Sequence, residues 1–322
     1  AKVTVARKVE GTIRVTPDRV KRDTGEQHTA VATLKPRRGA AKGHDMTIQV
    51  FRKAPAAPLP DGYTSGTPYQ LAEETITKTD SRGRAELTYT SRVGADDIVV
   101  ACAGYQNSCV EDGATVLVVN GETPANLRTD YISDTAEVTW KPVPGSDGFV
   151  DLFDGKTLGG WDHAGSGSFT IDNGVLTPQG GRGALWYARQ QYRDFTLELE
   201  YEQDSVSADS GIFLRIPDGD AAVADPQTKG YQVSILDRVD DARFRTGSID
   251  GIDPADFLNV KPVGGGYNKV RIEVRGQEYK IYWNDQLVNT YTGDRELAGH
   301  IGLENNGGGI RFKNIRIAPL SK

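Results

Sequence analysis

Two polar side chains share one face of a short segment in the second half of the chain. In residues 231–237 (YQVSILD), the period of two expected for a strand puts Gln232 and Ser234 on one side and the apolar residues on the other. An amide and a hydroxyl exchange hydrogen bonds, but an amide does not take up a proton at neutral pH. We therefore expect Gln232 and Ser234 to bind a ligand on the open face of a sheet rather than to act as a base.

Two carboxylates near this segment are candidates for proton transfer, which a side chain of suitable pKa can perform. Strict alternation turns Asp237 away from Gln232, so Asp237 serves as a base only if the strand ends or bulges there; capping a turn is the alternative. Asp250 lies in a glycine-rich loop with Asp253 and Asp256, and such loops often line the mouth of a cleft, although their acids are also commonly just solvated. Asp237 and Asp250 are our catalytic candidates.

Arg215 is the cationic candidate, expected to share a strand face with Phe213. Its guanidinium could bind a hydroxyl group or stabilise an oxyanion. A structural ion pair with one of the many local carboxylates is an equally good interpretation.

The elements that must position these residues are short strands. The chain has 322 residues with 37 glycines and one methionine, a composition typical of an all-β protein and long enough for two domains. Prolines and glycines at 142–148 interrupt a strand-like run, so we place the domains at 1–145 and 146–322. Strand patterns at 12–16, 28–34, 46–51, 85–90, 98–101, 115–119 and 136–140 predict an immunoglobulin-like β-sandwich in the first domain.

In the second domain the strand signal is stronger. Residues 196–202 alternate Leu and Tyr with Glu, and 270–275 repeat that pattern. Residues 280–288 predict a hairpin that turns at Asn284 and Asp285. The apolar parity changes within 310–317, which predicts a β-bulge near Lys313 and Asn314.

The net charge limits the class of partner, and the cysteines indicate the location of the protein. The net charge is −6, with the acidic excess in the second half, so nucleic acid is a poor partner and a neutral glycan or a cation is a better one. No run of eighteen apolar residues predicts a membrane span. Cys102 and Cys109 flank a segment with turn residues, which favours a disulfide over two free thiols and hence an extracellular location.

No cofactor is assigned with certainty, and calcium is a candidate cation because acidic residues cluster in one stretch. This stretch contains Asp204, Asp209, Asp218, Asp220 and Asp225. Their spacing matches no EF-hand, and the metal ligands stay unassigned. Zinc is disfavoured, because His163 and His300 have no ligand partner at a standard spacing.

Ordered motifs in the second half carry a family resemblance. They lie at 149–161, 172–176, 194–200, 209–215 (DSGIFLR), 230–237 (GYQVSILD) and 302–307 (GLENNG). In these residues the chain resembles the concanavalin-like jelly-roll family of 3-keto-disaccharide hydrolases. Most of residues 10–140 resembles bacterial immunoglobulin-like domains, which usually act as spacers. This resemblance rests on residues 79–89 and 98–104.

The resemblance implies a secreted or periplasmic protein that acts on glycosides carrying a ketone at C3. That ketone acidifies the C2 hydrogen, a base removes it, the C1 substituent leaves, and water then adds. Family members commonly have a glutamate at position 232 and a glutamine at 234, so this chain lacks the expected base. Where members often have Gln-Asp-His, this chain has Glu304, Asn305 and Asn306, and Asp250 replaces a common tyrosine.

Three functions follow from these observations. The first is a glycoside hydrolase in which Arg215, Gln232, Asn305 and Asn306 position the sugar. The ring of Tyr267 either offers the sugar a flat face or packs in the core. The second is a non-catalytic carbohydrate-binding module on an immunoglobulin-like spacer, a part of a larger secreted multidomain enzyme. The third is a surface adhesion protein, which rests mainly on the first domain.

Overall fold

A computed structural model describes residues 9–59, 65–103, 108–110, 115–118, 124–128, 131–217 and 229–320. The chain forms two compact units, one of residues 1–143 with 157–159 and the other of residues 144–156 with 160–322. Strands dominate both units, which confirms the all-β prediction. None of the helices in the described ranges is long and apolar enough to cross a membrane.

Two sheets form the first unit. Its strands are β1 (Gly11–Thr16), β2 (Arg19–Asp23), β3 (His28–Pro36), β4 (Asp45–Lys53), β5 (Thr67–Lys78), β6 (Arg84–Tyr89), β7 (Ala95–Ala103), β8 (Thr115–Val118) and β9 (Ile132–Lys141). One sheet has the order β1-β3-β6 and the other the order β2-β9-β7-β4-β5-β8. Strands β2 and β5 were not predicted from the sequence, and the assignment of this unit to the immunoglobulin-like class stays a prediction.

A buried ion pair lies in the core of the first unit. Apolar residues of both sheets pack together, and Trp140 and Val50 are among those with no exposed surface. Beside them Arg52 donates two hydrogen bonds of 2.8 and 2.9 Å to Asp97. The Asp97 carboxylate also accepts a hydrogen bond of 2.8 Å from the Trp140 indole N–H. The Asp97 carboxylate is thus fully hydrogen-bonded inside the unit.

The predicted disulfide between Cys102 and Cys109 is confirmed, with a Cα–Cα distance of 5.7 Å. Both cysteines are buried in a second apolar cluster.

The second unit is a jelly-roll sandwich, as predicted. Its strands are β10 (Val150–Asp151), β11 (Trp161–Asp172), β12 (Val175–Tyr187), β13 (Phe195–Gln203), β14 (Ser210–Ile216), β15 (Tyr231–Ile235), β16 (Asn268–Arg275), β17 (Glu278–Trp283), β18 (Gln286–Thr292), β19 (His300–Asn306) and β20 (Ile310–Pro319), with a 3-10 turn at Ala242–Phe244. They follow the order β15-β14-β19-β12-β20-β13-β16-β17-β18, with β10 on β20 and β11 on β12.

Local sequence signals decide where these strands turn and bend. Asn284 and Asp285 have positive φ angles of 47° and 67° in the two-residue turn between β17 and β18, which confirms the hairpin. The β13–β20 register shifts between Glu198 and Glu200, and Asn314 has a φ of 53°, which confirms the bulge. The apolar faces of β13, β16 and β20 are buried, whereas the glutamates of β13 pair with Lys and Arg of β20 on the opposite face.

Candidate functional site

The segment after the 3-10 turn continues the sheet at the edge formed by β15. Asp250 donates its backbone N–H to the Gln232 carbonyl over 2.9 Å, and Ser234 donates its own to the Ser248 carbonyl over 3.0 Å. These backbone bonds place Asp250 beside the polar pair of β15. The hydroxyl of Ser234, which is buried, donates a 2.8 Å hydrogen bond to a carboxylate oxygen of Asp250.

Gln232 reaches across a neighbouring strand to a second carboxylate. Its amide Nε2 donates a 2.8 Å hydrogen bond to Oε2 of Glu304 on β19, although β14 lies between β15 and β19. Gly211 of β14 makes this possible, because a Cβ added there would lie 2.3 Å from Nε2 of Gln232. Glycine leaves the space in which the Gln232 side chain lies.

A third carboxylate lies next to Glu304. Asn306, two residues further along β19, donates a hydrogen bond of 2.5 Å from Nδ2 to Asp209, which directly precedes β14. The amide oxygen of Asn306 accepts a hydrogen bond of 3.1 Å from Nε of Arg182 on β12. Arg182 and Asn306 are opposite each other in the β12–β19 register, as are Ala184 and Glu304, so all four lie on one face.

Burial and mutual repulsion change the protonation of these acids. Burial, followed by the charges of Asp209 and Asp250, raises the pKa of Glu304 to about 7, although Arg182 and the Gln232 amide oppose the rise. Burial also raises the pKa of Asp209. The hydrogen bond from Asn306 opposes this rise, whereas the charge of Asp250 adds to it. Glu304 can therefore both accept and return a proton near neutral pH.

We call Glu304, Gln232, Ser234, Asp250, Asp209, Asn306 and Arg182 the carboxylate cluster. It combines three acids, two of them next to neutral donors on β15, with an arginine at its β12 end. Such a set can remove a proton from carbon and hold the hydroxyl groups of a sugar.

No group of three or more His, Cys, Asp or Glu within the described ranges is arranged to hold a metal ion. Of the acids behind the calcium prediction, Asp218, Asp220 and Asp225 lie outside those ranges, and Asp209 belongs to the carboxylate cluster. Calcium binding stays a prediction.

Arg215 lies outside the cluster. The β14–β19 register shifts between Phe213 and Ile216, and Arg215 has a φ of 56°, so the expected alternation with Phe213 is interrupted. Its buried guanidinium donates to the carbonyls of Arg193 and Gly276. It also forms an ion pair of 3.5 Å with Asp194, which is the structural interpretation of Arg215 given above.

Asp237, Asn305 and Tyr267 also lie away from the cluster. Asp237 accepts hydrogen bonds from Gln203 and from the Thr246 hydroxyl, the latter over 2.6 Å, which ties down the loop after β15. Asn305 is fully buried and its amide donates to backbone carbonyls of β11 and β12 over 3.0 and 2.8 Å. The ring of Tyr267 packs under the ammonium of Lys313 on β20 at 3.6 Å.

Of the predicted site residues, Gln232, Ser234, Asp250 and Asn306 lie in the carboxylate cluster. Glu304, Asp209 and Arg182 also lie there but were not predicted to be catalytic or sugar-binding residues. Strand alternation could have identified Glu304, because residues two positions apart on a strand share one face and Glu304 is two residues from Asn306. Asp209 was considered only as a candidate for calcium, and Arg182 gave no signal, since the relation of both to Asn306 depends on strand order.

Comparisons with known proteins concern the second unit. Residues 148–318 match the family described as 3-keto-alpha-glucoside-1,2-lyase-like domain. A 3-keto-disaccharide hydrolase of Bacteroides thetaiotaomicron is 27% identical over 234 residues, covering 54% of this chain and 79% of that protein.

Among solved structures, a putative glycosyl hydrolase from Parabacteroides distasonis matches with a TM-score of 0.49 and 16% identity, covering 55% of this chain and 95% of its own. A carbohydrate-binding module from Bacillus subtilis matches with a TM-score of 0.36 and 20% identity, covering 49% of this chain and 94% of that module.

Proposed function

Because the chain belongs to the 3-keto-alpha-glucoside-1,2-lyase-like family, we propose that it is an enzyme that cleaves 3-keto-glycosides at the carboxylate cluster, with Glu304 as the general base. The observation that carries this proposal is the Glu304 carboxylate itself, half-buried among two other acids and hydrogen-bonded by Gln232. The family resemblance led us to expect the base at position 232. In this chain the amide at 232 instead holds a carboxylate on the neighbouring part of the sheet.

The chemistry follows from the acidity of a carbon next to a ketone. Glu304 takes the C2 proton, and the electron pair of the C2–H bond forms an enolate with the C3 carbonyl. The enolate collapses to a C1–C2 double bond, the C1–O bond breaks, and the departing oxygen takes from Glu304 the proton that Glu304 removed, which makes it an alcohol. Addition of water across C1 and C2 completes a hydrolysis.

The remaining residues of the cluster suit substrate binding. Arg182 and Asn306 offer N–H groups at one end of it, and Asp250 offers carboxylate oxygens at the other. A base whose pKa is close to the working pH is effective, because it is deprotonated in a large fraction of molecules and still basic.

We further propose that the protein works outside the cell. The disulfide between Cys102 and Cys109 supports this, because disulfides persist in oxidising compartments. The first unit then serves as a spacer for the carbohydrate-active unit.

The test is turnover of methyl 3-keto-α-glucoside, followed by methanol release and by exchange of the C2 hydrogen in D₂O. Glu304→Gln keeps the size of the side chain but removes the base, so kcat is expected to fall by about 10² to 10⁴-fold. Glu202→Gln, which removes an exposed ion pair with Arg311 on the outer face, is the matched control. Full activity of Glu304→Gln would disprove the role of Glu304, and binding of the glycoside without turnover by the native protein would identify a binding module instead.

A further inference from the structure

The two ends of the carboxylate cluster differ in chemical character. At the β12 end, Arg182, Asn306 and Asp209 form a continuous set of polar contacts. At the other end, Asp250 is followed by Gly251 and Ile252, and Phe244 lies against Gly251. One end therefore matches a hydroxyl-rich group and the other an apolar group.

The apolar end is open to solvent. Phe244 is 38% exposed and Ile252 is 37% exposed. Of the nine large apolar side chains exposed within the described ranges, four lie between residues 244 and 258, in the segment that carries Asp250. Concentrated exposure of this kind marks a binding surface more often than isolated exposed residues do. We call Phe244 and Ile252 the apolar rim.

Gly251 lies between Asp250 of the cluster and Ile252 of the rim. Its φ is 67°, a conformation that favours glycine, and a Cβ there would lie 3.3 Å from Cε1 of Phe244. A side chain at this position would therefore lie against the Phe244 ring, which glycine leaves uncovered at this point. A group bound at Asp250 can therefore extend directly onto the rim.

The backbone under the rim is held in place. Asp241 accepts the N–H of Arg243 at the start of the 3-10 turn, and Gly251 donates its N–H to the Arg243 carbonyl over 2.9 Å. The Ser248 hydroxyl donates to the Ala242 carbonyl over 2.8 Å. A surface ordered before binding loses less conformational entropy when a ligand arrives.

The strand order gives the distance between the two ends. From β12 the path runs through β19, β14 and β15 to the segment that carries Asp250, which is four strand spacings or about 19 Å. That span accommodates a sugar ring with a substituent but not two separate ligands of that size.

We infer that the substrate is a 3-keto-glycoside of an apolar alcohol, bound with its sugar hydroxyls toward Arg182 and Asn306 and with its leaving alcohol packed on Phe244 and Ile252. This inference rests on the proposed function and names the substrate class for the same site. The contact with the rim is apolar packing, so it adds affinity in proportion to the area that the leaving group buries.

The test compares methyl and n-hexyl 3-keto-α-glucosides, whose leaving alcohols have nearly the same acidity. Packing of the hexyl chain on the rim predicts a kcat/KM about tenfold higher for the hexyl glycoside. The double variant Phe244→Ser with Ile252→Ser is expected to reduce this ratio to near one. Ile76→Ser, which removes a 48% exposed side chain from the first unit, is expected to keep it.

Dissociation constants for the same glycosides on Glu304→Gln separate this inference from the proposed function. Turnover of both glycosides with equal kcat/KM overturns the inference and leaves the proposed function standing. A hexyl preference in binding that depends on the rim, without turnover by the native protein, supports apolar packing at the rim and overturns the catalytic proposal. Equal binding without turnover overturns both.

Discussion

Gly211 lies beneath the amide of Gln232, and its replacement by alanine disconnects that amide from Glu304. The new Cβ would lie 2.3 Å from Nε2, 2.6 Å from Cγ and 2.7 Å from Cδ of Gln232. All three atoms belong to a flexible side chain, so rotation of Gln232 relieves the clash with little change in the strand. The hydrogen bond of 2.8 Å to Glu304 is then lost.

The magnitude follows from what this bond does to Glu304. The amide donor stabilises the charged carboxylate, so its loss raises the pKa of Glu304 further above its ordinary value. A hydrogen bond to a charged acceptor contributes about 1.5 kcal/mol, which corresponds to a roughly tenfold increase in proton affinity. Gln232→Leu, which removes the donor without adding an atom to β14, is expected to have the same effect.

Infrared difference titration of the native protein and of both variants measures this change, with Glu304→Gln identifying the carboxylate band. The rate of C2 hydrogen exchange should rise with pH through the same shifted value. An unchanged or lowered Glu304 pKa in Gly211→Ala, with the fold retained by circular dichroism, would refute the reasoning. Loss of the native fold in Gly211→Ala alone leaves Gln232→Leu to decide the question.

Two further predictions concern stability. The pKa of Glu304 is raised from 4.5 to about 7, so the folded state binds its proton more tightly than the unfolded state, and the free energy of unfolding falls by about 3 kcal/mol as pH rises between these values. Urea unfolding at pH 5 and pH 8 should show a smaller fall in Glu304→Gln; an equal fall would contradict this origin. In the first unit, Asp97→Ala leaves Arg52 buried without its carboxylate and should lower the free energy of unfolding by about 3 to 5 kcal/mol. Asp45→Ala, which breaks an exposed pair with Lys78, should lower it by less than about 1 kcal/mol, and similar values for the two variants would argue against the burial effect.

The carboxylate cluster shows why a missing residue in a motif is weak evidence for a missing function. Position 232 lacks the acid that the family resemblance led us to expect, but its side chain still contacts a carboxylate, that of Glu304. The two residues are 72 positions apart in sequence and two strands apart in the sheet. A comparison made one position at a time does not register such a contact.

Arg215 illustrates the opposite case, in which the residue type was suggestive and the backbone decided otherwise. Its positive φ and the register shift interrupt the alternation in β14, and its guanidinium donates to backbone carbonyls. The sequence of β14 contains no glycine or proline at this point that would have predicted the bulge.

The sequence by itself determined the all-β class, the hairpin at Asn284, the disulfide and the shared face of Gln232 and Ser234. These features depend on alternation, turn chemistry and spacing, which are local properties of the chain. Only the tertiary structure decided that Glu304, Asp209 and Asp250 converge and that the pKa of Glu304 is raised. The physical reason is that strand order brings distant residues together and burial then sets their electrostatics, and neither quantity is encoded within a single segment.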